Sequence, residues 1–262
     1  MINALNTAAT GMAAQAKQIE VISNNVANAD TVGFKKSRAD FQDLLYQNVK
    51  DPGAATSATT QSPTGIQVGL GTQLVGVSRE NAQGSLRPTG RPLDLAVGGN
   101  GYLAFAKPNG EIGYSRDGNL QLNNEGVVVN AQGFPLTPEV RIPPNSQSIT
   151  ISPDGRVQVR VGNAGNDIQD AGQIQLVGFA NPSGLRAEGN NLFVETSASG
   201  VATPGTPNEG GLGVIQQNYL ETSNVQAMTE MTDMIRSQRL YELNSKVVTT
   251  SDQMMSTLNQ IR

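Results

Sequence analysis

Five carboxylates in the middle of the chain, Asp94, Glu111, Asp117, Glu125 and Asp154, are the side chains best placed to do chemistry. Some cell-wall hydrolases cleave glycosidic bonds with one Asp/Glu pair alone. Little other catalytic chemistry is open to the chain. It has no Cys and no His, which removes thiol nucleophiles, disulfides, Cys/His zinc sites and any Ser-His-Asp relay. Most of the five carboxylates sit in or beside turn dipeptides, where Asp and Asn serve backbone geometry, and structural use is the better account of them. A second string, Gly99-Asn100-Gly101-Tyr102-Leu103-Ala104, fits the G-x-G-x-x-A dinucleotide pattern. The strand formers Tyr102 to Phe105 stand where that pattern requires a helix N-terminus. Glycine at a tight strand-to-strand crossing explains it better, and neither a cofactor nor a metal is expected.

The elements that would position such groups are segregated along the sequence. All seven Met lie in the first 28 or last 41 residues, whereas all 13 Pro and 28 of the 29 Gly lie between. This reads as two helical tails around one β-rich middle. In the first tail, Ile2, Leu5, Ala9, Met12, Ala16, Ile19, Ile22 and Val26 recur at steps of three or four, one face of a helix. In the second, Ser223 followed by Gln226 has the form of a capping box, and no Gly or Pro occurs from there to Arg262. Val225, Met228, Thr232 and Ile235 form one seam; Leu240, Leu243, Val247, Thr250, Met254, Leu258 and Ile261 form another. The five-residue step between them breaks the phase, so the seam must swing round the helix or change partner. Fixing ~25 residues costs ~1–2 kcal/mol each, more than one apolar seam returns, which predicts tails that order fully only on assembly.

With 18 Lys+Arg against 22 Asp+Glu, net −4, and no basic run, nucleic acid is not an expected partner. No apolar stretch reaches the ~18–20 residues of a membrane span. Met1-Ile2-Asn3-Ala4-Leu5 lacks the basic and apolar regions of a secretory signal, so any export is expected to leave the N-terminus uncut.

In the middle, Phe34 to Lys50 is ambiguous between helix and strand, with Phe41, Leu44, Leu45 and Val49 able to line a helix. Ala54 to Gly65 is an uncharged run that reads as an extended excursion. Asn109-Gly110, Asp117-Gly118, Glu125-Gly126, Gln132-Gly133 and Asp154-Gly155 are hairpin signals. Val157, Val159 and Val161 alternate with Gln158 and Arg160, and Ile174 and Leu176 with Gln173 and Gln175, giving strands with one wet face. The middle is therefore expected to be a mainly antiparallel sheet or small barrel.

Three strings carry a resemblance. Ser23-Asn24-Asn25-Val26-Ala27-Asn28-Ala29-Asp30-Thr31-Val32-Gly33-Phe34-Lys35 resembles the signature of bacterial flagellar rod and hook proteins. The second is Glu221-Thr222-Ser223-Asn224-Val225, followed by Met231, Ile235, Arg239, Tyr241-Glu242 and Asn244. The third combines Gly99 to Phe105 with Tyr114-Ser115-Arg116-Asp117-Gly118, similar to the family's central β region. Phe41 to Gln47 and the stretch up to Gly65-Ile66-Gln67-Val68-Gly69 are most similar to the distal rod members; proximal rod and hook subunits are the near alternatives. The resemblance implies a tubular, helical drive shaft crossing the periplasm, with terminal helices coiled together inside and the β domain outside. It further implies unfolded export through the flagellar type III apparatus. The partners implied are further copies of the chain, proximal rod proteins, hook protein, and the L- and P-ring proteins around the rod.

The sequence thus points to an α+β, non-enzymatic structural subunit, with the terminal helices pairing as a coiled-coil inner domain. The expected segments are 1–33 (N-terminal helix), 34–72 (linker and stiffening segment), 73–217 (β-rich outer domain) and 218–262 (C-terminal helix). Subunit-interface candidates are Ile2, Leu5, Met12, Ile19, Ile22, Asn25, Val26, Asn28 and Phe34. Leu45 and Tyr46 are added from the stiffening segment, and Val225, Met228, Ile235, Leu240, Leu243, Val247, Met254, Leu258 and Ile261 from the last helix. The amides of Asn24, Asn25 and Asn28 are candidates for fixing helix register, against the simpler role of ending the helix towards Gly33. The readings of other classes are a carboxylate-dependent peptidoglycan hydrolase and an export chaperone or adaptor.

Overall fold

The computed structural model describes residues 2–52, 63–161 and 167–260, apart from the side chains of Ile2, Asp167, Leu258 and Asn259. Most of the uncharged run from Ala54 to Gly65 lies outside the described residues. The fold is α+β, with a long helix at each end and a mostly antiparallel β middle. The chain forms two compact units. One joins Met1–Ala27, Ser37–Arg79 and Gln226–Arg262; the other joins Asn28–Lys36 and Glu80–Val225.

In the first unit, helices α1 (Ile2–Ala27) and α2 (Ala227–Gln260) pack antiparallel, Asn25 meeting Glu230 and Gly11 meeting Asn244. The start of α2 corrects the capping-box reading. The Ser223 hydroxyl accepts the N–H of Val225, only two residues on, and closes a turn ahead of the helix. On α2 the most enclosed positions are Glu230, Ser237 and Ser251, with Asn244 half-buried, at seven-residue intervals; on α1 they are Ala8, Ala14, Ile22 and Asn25. The seam is therefore mostly small and polar: α2 gives it none of the apolar stripe that the periodicity singles out, and α1 encloses only Ile22 of its stripe, with Leu5, Met12, Ile19 and Val26 half-buried. Its tightness is visible at Gly11, where an added Cβ would lie 2.9 Å from Asn244 Nδ2.

The same unit holds two strand pairs. β1 (Ser37–Asp43) pairs with β4 (Thr72–Arg79), and β2 (Tyr46–Lys50) with β3 (Ile66–Gly69). The ambiguous stretch is thus strand from Ser37 onward. Its alternation is hidden because the register shifts at Asp40/Phe41 and again between Asn48 and Lys50, and a bulge reverses which face a side chain takes.

The second unit is built around Leu95, Val97, Leu103, Phe105, Leu120, Val159, Ile174 and Leu176. Its largest sheet takes the order Leu136–Thr137, Leu103–Ala106, Ile112–Ser115, Leu192–Val194, Arg186–Gly189. A three-stranded sheet of Ser146–Ile151, Arg156–Val161 and Asp167–Gln173 buries Val157 and Val159 and exposes Gln158 and Arg160, as the alternation requires. Gly110, Gly126 and Gly155 turn hairpins at positive φ. Asp117-Gly118 does not. Gly118 is needed for close backbone approach, since a Cβ there would fall 1.6 Å from the carbonyl oxygen of Leu95.

Candidate assembly site

Because the α1–α2 seam takes small residues, the large apolar side chains of α2 are left outside it. Met228 is 79 % exposed and Leu243 59 %, and Met231, Ile235, Leu240, Val247 and Met254 are exposed with them. The enclosed positions keep one heptad phase along α2, but the exposed apolar residues do not. At 3.6 residues per turn, Leu240, Leu243, Val247 and Met254 lie about 120° round the helix from Met228, Met231 and Ile235. The phase break is therefore a change of stripe on a helix that holds its grip on α1. An exposed apolar surface of this length marks an interaction site.

The strands of the same unit add to it. Leu45 is 83 % exposed, and Tyr46, Val49, Ile66, Val75 and Val77 are exposed too. Of the other interface candidates, Leu5, Met12, Ile19, Val26, Asn28, Phe34 and Val225 are half-buried. Ile22 and Asn25 are enclosed by the chain's own packing, each 2 % exposed, so whatever they add to assembly acts through the subunit's fold. The side chains of Ile2 and Leu258, and Ile261 as a whole, lie outside the described residues.

Sequence reasoning missed a second site, in the β unit. Lys35 Nζ donates to Glu221 Oε1 at 2.6 Å and to the carbonyl of Ala82 at 2.8 Å. The Arg116 guanidinium reaches Glu221 Oε2 at 3.5 Å and the carbonyls of Val97 and Gly99 at 3.1 and 2.7 Å. All three side chains are buried. Desolvation pushes the Lys35 ammonium below its usual pKa, against the opposing pull of Glu221. Around them, Gly33 N–H donates to the carbonyl of Glu221 at 2.8 Å and Lys36 N–H to Asn224 Oδ1 at 2.7 Å. Gly33 has φ +68, and a Cβ there would strike the Arg116 backbone at 2.8 Å. The three strings that carried the resemblance thus meet here. Only their presence at the two ends and the centre of the sequence hinted at it.

The carboxylates considered for catalysis are taken up in turns, bridges and ion pairs, with only Asp94 and Asp117 near one another, on either side of Asn119. Asp117 Oδ1 accepts the N–H of Asn119, an Asx turn. Glu111 pairs with Lys107, and Asp154 with Arg156. Asp94 is buried in a bridge to Asn119. After Gly99 and Gly101 comes the strand Leu103–Ala106, with no helix to receive a phosphate.

Residues 5–35 fit the model for flagella basal body rod proteins, 96–159 that of the flagellar hook protein FlgE/F/G D1 domain, and 216–261 that of the flagellar basal body rod FlgEFG protein C-terminal region. The flagellar basal-body rod protein FlgG of Caulobacter vibrioides is 48 % identical over 262 residues, covering all of both chains. Its counterpart in Bacillus subtilis is 37 % identical over 267 residues, again covering all of both. The flagellar hook-basal body complex protein FlhP of Bacillus subtilis is 32 % identical over 275 residues, with the same full coverage. The chain belongs to the FlgG family of flagellar basal-body rod proteins.

Proposed function

We propose that this chain is a non-enzymatic structural subunit that polymerises into the tubular distal rod of the bacterial flagellum, a stiff shaft passing torque from motor to hook. The observation that carries this reading is the pair of exposed apolar stripes on α2, set outside a seam that is already filled by small residues. Helices paired within the subunit as a coiled-coil inner domain turn those stripes toward the helices of neighbouring copies. The heptad interval of Glu230, Ser237, Asn244 and Ser251 supports such pairing. The exposed Leu45, Tyr46 and Val49 supply further contacts between copies and stiffen the shaft.

The remaining partners are proximal rod proteins at one end, hook protein at the other, and the L- and P-rings around the shaft. The chain reaches the periplasm through the flagellar type III apparatus. Among the described residues no helix is long and apolar enough to cross a membrane.

Electron microscopy of concentrated purified protein tests the proposal. Straight tubes are the expected result. Curved tubes would favour a hook subunit, persistent monomers would sink the proposal, and lysis of peptidoglycan would restore the hydrolase reading.

A further inference from the structure

The buried cluster around Lys35 holds a charge imbalance. Two cations, Lys35 and Arg116, converge on the two oxygens of one carboxylate, Glu221, with side-chain exposures of 1, 5 and 0 %. The other groups on the cluster are neutral. The carbonyls of Ala82, Val97 and Gly99 accept, Gly84 N–H donates to Glu221 Oε1 at 2.9 Å, and the Tyr102 ring centroid is 5.3 Å from the guanidinium carbon. Removing either cation leaves a neutral pair. Removing the anion leaves two repelling cations in a dry site, and breaking a buried pair in that way is strongly unfavourable.

We propose that Glu221 is a clasp. The segment Asn28–Lys36 seats in the β unit only when the strand Tyr219–Glu221 has brought this carboxylate into place. Lys35 and Glu221 are 186 residues apart. Asn28 follows directly on α1, and Val225 leads directly into the segment that begins α2. The root of the first helix is therefore seated only after the root of the last has been made, and a chain that has folded only its first part cannot close the unit early.

The test is hydrogen exchange on the full chain in three variants, Glu221→Gln, Lys35→Met and the double. The Gly33 and Lys36 amides report on the clasped segment, because they donate to Glu221 and Asn224. The Tyr102 and Val177 amides, each bonded to the other's carbonyl, report on the core. Glu221→Gln is expected to speed exchange at Gly33 and Lys36 by ~100-fold or more. Lys35→Met should change it by less than ~10-fold, and the double variant, which relieves the repulsion but still buries Arg116 without its anion, should recover at least ~10-fold of the protection that Glu221→Gln loses. Should Glu221→Gln unfold the whole unit, recovery of all four amides in the double variant supports the clasp equally. Equal loosening by the two single changes, no loosening by Glu221→Gln, or a double variant no better protected than Glu221→Gln overturns it.

Discussion

The side chain of Asn25 and the backbone of Ser37 exchange two hydrogen bonds, Ser37 N–H to Asn25 Oδ1 at 2.9 Å and Asn25 Nδ2 to the Ser37 carbonyl at 2.8 Å. The same Nδ2 donates to Glu230 Oε2 at 3.1 Å. One amide thereby ties α1, β1 and α2 together with its donors fully used, which makes it an internal lock. Asn25→Ala leaves both Ser37 groups and a buried carboxylate oxygen short of partners, an expected loss of about 2–4 kcal/mol. Urea unfolding of the unassembled chain measures it. Unchanged stability together with weakened filaments would instead assign the amide to contacts between subunits.

Gly11 tests how closely the helices approach. The atom nearest its missing Cβ is the end of the Asn244 side chain, which can swing away. Gly11→Ala should therefore stay within about 1 kcal/mol of the parent, helped by alanine's higher helix propensity. Gly11→Leu has no such room and should lose roughly 1–3 kcal/mol. Thermal melts followed at 222 nm compare the two, and equal melts would mean the seam is looser than described.

The two faces of α2 should separate stability from assembly. Leu243→Glu alters an exposed residue, and the unassembled chain should unfold within about 0.5 kcal/mol of the parent while forming no tubes. Ser237→Leu alters an enclosed one and should lower the melting temperature before any assembly takes place. Sedimentation of both variants beside their melts checks this; tube formation by Leu243→Glu would remove that stripe from the interface.

The Asp117 carboxyl supplies a pH dependence. Burial raises its pKa above the ordinary 3.8, the N–H groups of Asn119 and Asn191 oppose the shift, and the charge of Asp94 adds to it. The folded chain thus keeps a proton that the unfolded chain has released. Stability falls as pH rises from 3.8 through the raised value, above which the loss is complete. Asp117→Asn should flatten the stability curve above pH 3.8 and raise it once the pH has passed the carboxyl's raised value. Parallel curves for the two proteins would dissociate Asp117 from the effect.

A seam whose enclosed side chains, Ile22 apart, are small or polar buries little apolar surface, while ordering 26 residues of α1 and 34 of α2 costs ~1–2 kcal/mol each. Dilute monomer is accordingly expected to show less helix by circular dichroism than the two helices would give, with the remainder appearing on assembly. Full helicity at high dilution would count against this.

The helices, the hairpins at Gly110, Gly126 and Gly155, and the wet-faced strands were legible because each depends on local spacing. Which face of α2 turned inward was not. Periodicity finds the most apolar stripe, and on a helix whose large side chains stay exposed that stripe points away from the chain's own core. Ser37 to Lys50 was unreadable because two register shifts destroy the alternation by which strands are recognised. The Lys35–Arg116–Glu221 cluster was invisible for a different reason: no local pattern links charges 81, 105 and 186 positions apart that the fold alone brings together.

The change of stripe along α2 bears on when association stops. Two copies related by a twofold axis bury one patch against itself and are then complete. A helix with one apolar patch near its root and another about 120° round it further along points them in different directions, so a twofold contact made by either patch with itself leaves the other facing water. Each added copy satisfies one patch and presents the other. We therefore expect head-to-tail growth, which ends only when a ring closes or a different protein caps the end.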